Sequence, residues 1–111
     1  MTVKILIKRK FKNADPKNVS EVIAESRKNA MREKGYISSE TLCGCDDPNL
    51  ILVLSMWQKK EDWEHYKNSP ARIETEAKYA ELLERPTEHE SYNLGLPFAL
   101  SDHDFVEPLE F

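Results

Sequence analysis

Leu50-Ile51-Leu52-Val53-Leu54-Ser55-Met56-Trp57 is apolar on both sides of an extended chain. As a strand it puts Leu50, Leu52, Leu54 and Met56 on one face and Ile51, Val53, Ser55 and Trp57 on the other. Helices packed on one face leave the other with at least three large apolar side chains. Exposing them forfeits roughly 1.5–3 kcal/mol each, a sum comparable to the net stability of a small domain. A second sheet from an identical chain, packed face to face, is the simplest cover. The alternative is an apolar C-terminal tail folded back over its own sheet.

The flanks of this strand supply the rest of the domain. Asp46-Asp47-Pro48-Asn49 is a turn signal, and its length makes Tyr36–Asp46 and Leu50–Gln58 a hairpin. Upstream, Val3 to Phe11 alternates Val3, Ile5 and Ile7 against Lys4, Lys8 and Lys10, with Leu6 out of phase. Lys4 and Lys8 are expected to pair with Glu88 and Glu90 across strands, or to snorkel to an open end of a barrel formed with the second sheet. Asp15 and Pro16 provide an N-cap and a first helical position. The helix they open runs to about Lys34, with Val19, Val22, Ile23, Ser26 and Ala30 as its buried stripe and Gly35 as its C-cap. Downstream, a short helix carries Trp63 and Tyr66 on one face, and Ser69-Pro70 interrupts it. A further helix to about Glu84 has Ile73, Ala77, Ala80 and Leu83 as its expected stripe, ended by Arg85-Pro86. Thr87–Leu94 reads as a last strand with His89, Ser91 and Asn93 on one face. The order β-α-β-β-α-β predicts a ferredoxin-like α+β domain over residues 1–95, with a four-stranded antiparallel sheet. Residues 96–111 form a tail carrying Leu96, Phe98, Leu100, Phe105, Val106, Leu109 and Phe111, which could cross onto a dimer partner.

The chain has 111 residues, enough for one core, and 32% of them are charged, with a formal net charge of −4. Interleaved signs and a slight acidic excess argue against nucleic acid and anionic membranes as partners. The longest strongly apolar run, Leu50–Leu54, is too short to span a bilayer. The N-terminal stretch has charge inside its apolar segment and lacks the features of a signal peptide. Cys43 and Cys45, two apart on a strand, would stand roughly 6.6 Å from each other with parallel Cβ vectors, a poor disulfide geometry. Free thiols and no leader lead to an expected cytoplasmic location.

Three segments together resemble a known family. Gly35-Tyr36-Ile37-Ser38-Ser39-Glu40-Thr41-Leu42 leads through the turn into Val53-x-Ser55-x-Trp57, and Trp63-x-x-Tyr66-x-x-Ser69 follows. This pattern resembles the antibiotic biosynthesis monooxygenase domains, over roughly residues 3–95. The resemblance implies a dimeric α+β barrel and, as activity, cofactor-independent monooxygenation of a quinol or polyphenol-like aromatic. The haem-degrading branch uses an Asn on strand one, a Trp on the second helix and a downstream His. Here Val3–Phe11 contains no Asn, and Tyr66 and Glu76 occupy the other two positions, so haem is not the expected substrate.

Trp57, Trp63, Tyr66 and Tyr79 are the candidate substrate-binding residues, because aromatic walls suit a flat phenolic ligand. The plainer reading makes all four core. His89 is the candidate catalytic base, with an expected apparent pKa near 6–7. Its plainer reading is a wetted sheet residue. His65 falls about 200° around its helix from Trp63 and points to solvent, and His103 sits in a tail turn, Ser101-Asp102-His103-Asp104. The Cys43-Gly44-Cys45 pair is a weak thiolate signal, with two buried thiols the expected outcome. No metal site is expected. Three glycines and no phosphate-loop or dinucleotide pattern leave no expected flavin or nicotinamide cofactor. If the chain is not an enzyme, the same dimer would bind a small hydrophobic ligand or a protein partner without catalysis.

Overall fold

The computed structural model describes residues 1–96. The apolar tail beyond Leu96 and His103 lie outside the described residues. The elements are β1 (Val3–Lys10), α1 (Pro16–Met31), β2 (Tyr36–Cys43), β3 (Leu50–Trp57), α2 (Lys60–Lys67), α3 (Pro70–Tyr79), a 3₁₀ turn (Ala80–Leu82) and β4 (Glu88–Asn93). The four strands form one sheet in the order β2-β3-β1-β4, with every neighbouring pair antiparallel. This is the ferredoxin-like α+β fold.

The alternation in β1 sets which face is inside. Val3, Ile5, Ile7 and Arg9 are buried and stand opposite Trp57, Ser55, Val53 and Ile51 of β3. Directly opposed residues share a face, so this is the side covered by helices. One core cluster joins Val3, Ile5, Ile7 and Trp57 to Ala30 of α1 and to Trp63 and Tyr66 of α2. A second joins Phe11 and Ile51 to Val22 and Ile23 of α1 and to Leu83. The other face carries Leu50, Leu52, Leu54 and Met56 on β3, Leu6 on β1, and the exposed Leu42 and Tyr92 on the edge strands. Among the described residues no helix covers it. Lys8 on this face pairs with Glu90 at 3.1 Å, while Glu88 turns to Arg85 instead.

Asp15 caps α1 through Oδ1, which accepts from the Asn18 amide at 2.8 Å. The helix stops at Met31 with Arg32 as its cap, three residues short of the expected end. Gly35 opens β2 instead, at φ +88, in the left-handed region that glycine tolerates. A Cβ there would collide with the Asp62 carboxylate, so Gly35 also lets α2 approach the sheet. Cys43 closes β2 and Cys45 lies in the turn beyond it. Both thiols are exposed rather than buried, because one sits at the end of an edge strand and the other in the turn that follows it.

The third helix differs most from expectation. Ile73, Ala77 and Ala80 are exposed, and Arg72 and Thr75 take the inward face. Polar partners rotate it. Thr75 Oγ1 donates to Glu25 of α1 at 3.1 Å and accepts from Asn29 at 2.9 Å, and Arg72 reaches over Trp63 and Tyr66. Leu83, on the chain after the 3₁₀ turn, is buried as expected.

Candidate functional site

A cavity lies between the helix-covered face of the sheet and helices α1, α2 and α3. Its floor is Ile7 and Arg9 of β1 with Val53, Ser55 and Trp57 of β3. Trp63, Tyr66 and Arg72 close one side, and Ser26, Arg27, Tyr36 and Ser39 the other. The volume is about 30 Å³, room for about one water molecule and well under the roughly 300–1,000 Å³ of a site holding a drug-sized ligand. A bicyclic aromatic therefore needs side chains to move aside. Arg27, Tyr36 and Ser39 on the rim of the cavity are partly exposed.

Local structure explains why these side chains converge. Val53, Ser55 and Trp57 alternate onto the inner face of β3. Trp57 is fully buried and its indole N–H donates to Ser55 Oγ at 3.1 Å, which satisfies the ring nitrogen within its own strand. The register of β2 shifts between Tyr36 and Ser38, so Tyr36 faces Trp57 and Ser39 faces Ser55. This β-bulge puts two residues three apart on the same face, where an unbroken strand would separate them. Tyr36 Oη and Ser39 Oγ are then 2.9 Å apart, and Arg27 Nε donates to Ser39 at 3.1 Å. Three residues apart on α2, Trp63 and Tyr66 fall on one helical face. Tyr66 stacks on Trp57 at 5.4 Å, and Trp63 meets Trp57 at 6.0 Å.

The polar side of the cavity belongs to residues that hydrophobic patterning passed over. Arg9 is 2% exposed, and its Nη2 donates to Glu76 Oε2 at 2.8 Å and to Ser26 Oγ at 3.4 Å. Arg72, also buried, stands 3.8 Å from Glu76 Oε1 and lies over the rings of Trp63 and Tyr66 at 5.5 and 5.9 Å. Burial alone would raise the Glu76 carboxyl, but the Arg9 charge and hydrogen bond hold it below the usual carboxylate range. Tyr66 Oη donates to the Ser26 carbonyl at 3.1 Å, and burial pushes its phenol above the ordinary value. It acts as a neutral donor.

Of the residues singled out from sequence, Trp57, Trp63 and Tyr66 come together at this cavity. Tyr79 does not line it. Its hydroxyl donates to Glu25 Oε1 at 3.0 Å, alongside Lys78, in a clamp between α3 and α1. His89 stands behind Trp63 at 5.5 Å between centroids, with Nε2 2.8 Å from Arg72 Nη2. Since guanidinium only donates, Nε2 is the acceptor. Burial first, then the Arg72 and Lys67 charges, pushes His89 down to about 4, so the ordinary imidazole titration expected for it is displaced. His65 is exposed as expected. Arg9 and Arg72 left one sequence signal: an Arg in the apolar phase of β1, after Val3, Ile5 and Ile7, is placed to be buried. Among the described residues no group of three or more His, Cys, Asp or Glu is arranged to hold a metal ion, and no helix is long and apolar enough to cross a membrane.

The structure is thus a ferredoxin-like α+β domain with an aromatic, arginine-lined cavity between sheet and helices. The family model described as antibiotic biosynthesis monooxygenase matches residues 3–78, and the chain belongs to that family. No curated protein matches it in sequence. Solved structures that share the fold include a candidate antibiotic biosynthesis monooxygenase from Nitrosomonas europaea. It is 15% identical at a TM-score of 0.74, with 88% of this chain and 94% of that one covered. SnoaB, a cofactor-independent oxygenase from Streptomyces nogalater, is 17% identical at 0.72, covering 86% and 94%. A conserved protein from Methanosarcina mazei is 18% identical at 0.66, covering 83% and 91%. At these identities the likeness is one of fold.

Proposed function

We propose that the chain is a monooxygenase that works as a homodimer on a quinol or polyphenol-like aromatic, without flavin, nicotinamide, haem or metal. The observation that carries this reading is the cluster of Trp57, Trp63 and Tyr66 around a cavity backed by Arg9 and Arg72. Family membership and the cofactor-independent oxygenase SnoaB among its structural relatives support it. The chemistry needs no external reductant: a quinol and O₂ become a hydroxyquinone and water. The quinol supplies the electrons, one oxygen atom enters the ring, and the other leaves as water with two hydrogens. The protein contributes an apolar, partly water-excluding cavity and groups that favour the ionised quinol.

In this reading the ring lies against Trp57, Trp63 and Tyr66 once Arg27 and Tyr36 swing outward. His89 acts by holding Arg72 through Nε2, as a positioning residue. Tyr79 keeps α3 docked on α1, and so acts on the cavity only at a distance. The homodimer forms through the uncovered sheet face, where Leu50, Leu52, Leu54 and Met56 need a cover.

A second reading has the dimer bind a small hydrophobic ligand or a protein partner and catalyse nothing. One observation favours it: among the described residues no carboxylate or imidazole lines the cavity. Oxygen uptake by metal-stripped protein supplied with a naphthoquinol separates the two.

A further inference from the structure

The charges around the cavity do not balance. Among the described residues three guanidinium groups line it, those of Arg9, Arg27 and Arg72, and no carboxylate does. The two buried ones, Arg9 at 2% and Arg72 at 6% exposure, share a single anion. Glu76 bonds Arg9 at 2.8 Å and reaches only 3.8 Å from Arg72. Arg72's other contact, His89, is neutral, and the Arg27 donors end on the hydroxyls of Ser39 and Thr41. A buried cation with half a counter-ion is costly unless an anion completes the pairing. In addition, Arg9 Nε is buried with no acceptor among the described residues, and such orphaned donors are rare in a folded interior. The cavity beside these groups has room for about one water molecule, so the side-chain movement that admits a ring also makes room for its head group.

We infer that the cavity takes its aromatic ligand as an anion, with a carboxylate or comparable oxyanion seated on Arg9 and Arg72 and the ring on the aromatic wall. Planar guanidinium groups match a two-oxygen anion, and Trp63 beneath Arg72 keeps that cation fixed in place. The inference rests on the proposed ligand cavity and narrows the substrate class from neutral polyphenols to acidic aromatics, such as hydroxylated aryl carboxylates. It requires no catalysis.

The test is isothermal titration of the full chain with 1-naphthoate, with 1-naphthamide as the neutral isostere, and with inorganic phosphate. The expected result is naphthoate binding at least tenfold tighter than naphthamide, with phosphate weaker than naphthoate. Glu76→Gln, which removes the competing carboxylate, should tighten naphthoate severalfold. Arg72→Met should bring the preference below threefold, with circular dichroism reporting its fold. Equal binding of naphthoate and naphthamide overturns the inference and leaves the aromatic cavity standing. Phosphate binding as tightly as naphthoate overturns it in favour of a free-anion site. Binding of neither aromatic overturns both it and the ligand cavity. Naphthoate preference together with no oxygen uptake from any naphthoquinol or catechol sustains it and removes the monooxygenase reading, so the two fail separately.

Discussion

Arg72 and His89 are 2.8 Å apart, guanidinium donor to imidazole acceptor, across the gap between α3 and the edge strand β4. Burial first, then the Arg72 charge, keeps His89 neutral, and the bond holds Arg72 over Trp63. Keeping His89 neutral also makes stability depend on pH. His89 falls to about 4 in the fold, from an ordinary value of 6.5. Between those values the unfolded chain takes up a proton that the folded chain refuses, so stability falls as pH drops from about 6.5 to about 4. The His89 contribution is at most about 3 kcal/mol, and less because solvent reaches part of the ring. Urea unfolding of the wild type and of His89→Gln across that window should show the wild type losing more, since shared carboxylate effects cancel in the difference. Parallel pH profiles would break the assignment.

The two faces of β3 should respond differently to the same substitution. Val53 faces the helices and both core clusters, while Leu52 lies on the uncovered face. Val53→Asp should destabilise the fold, because it replaces apolar packing between the two clusters with a charge that must be desolvated, a cost offset only in part by the guanidinium groups lining the same cavity. Leu52→Asp should keep the fold and give a monomer. Light scattering of the wild type should return twice the mass of one chain at micromolar concentration. A monomeric wild type would contradict the proposed sheet-face dimer.

Haem should not be degraded. Strand β1 holds no Asn, Tyr66 Oη is committed to the Ser26 carbonyl, and Glu76 to Arg9. With haem and a reductant, the Soret band should decay no faster than without protein. Rapid stoichiometric loss with a biliverdin-like product would refute this.

β1, β3 and the Trp63–Tyr66 face were legible as local periods of apolar residues, β2 and β4 through the turn and the breaks that bound them, and Asp15 announces its helix by capping. The stripe of α3 was not. Its orientation is set by Glu25, Asn29 and Trp63, none of them near Arg72 or Thr75 in sequence. Ile73, Ala77 and Ala80 formed a plausible apolar set, but the long-range polar contacts outweighed it. The candidate site divides the same way. Its aromatic wall was visible as pattern, whereas Arg9 and Arg72 are charged and do not register in apolar patterning. The bulge that turns Tyr36 and Ser39 onto one face has no composition signal, and Gly35 read as a helix end when its work is to admit Asp62.

The most direct test of the monooxygenase reading is oxygen uptake by EDTA-treated protein, without added flavin or nicotinamide, across a panel of naphthoquinols and catechols including acidic members. Trp57 is fully buried, so Trp57→Ala would cost about 3–5 kcal/mol of stability, and Trp57→Phe is the fairer companion variant. The account predicts uptake above the autoxidation rate, most of that excess lost in Trp57→Phe at unchanged fold. Uptake no faster than autoxidation with every member of the panel would contradict it and leave the non-catalytic binding reading in its place.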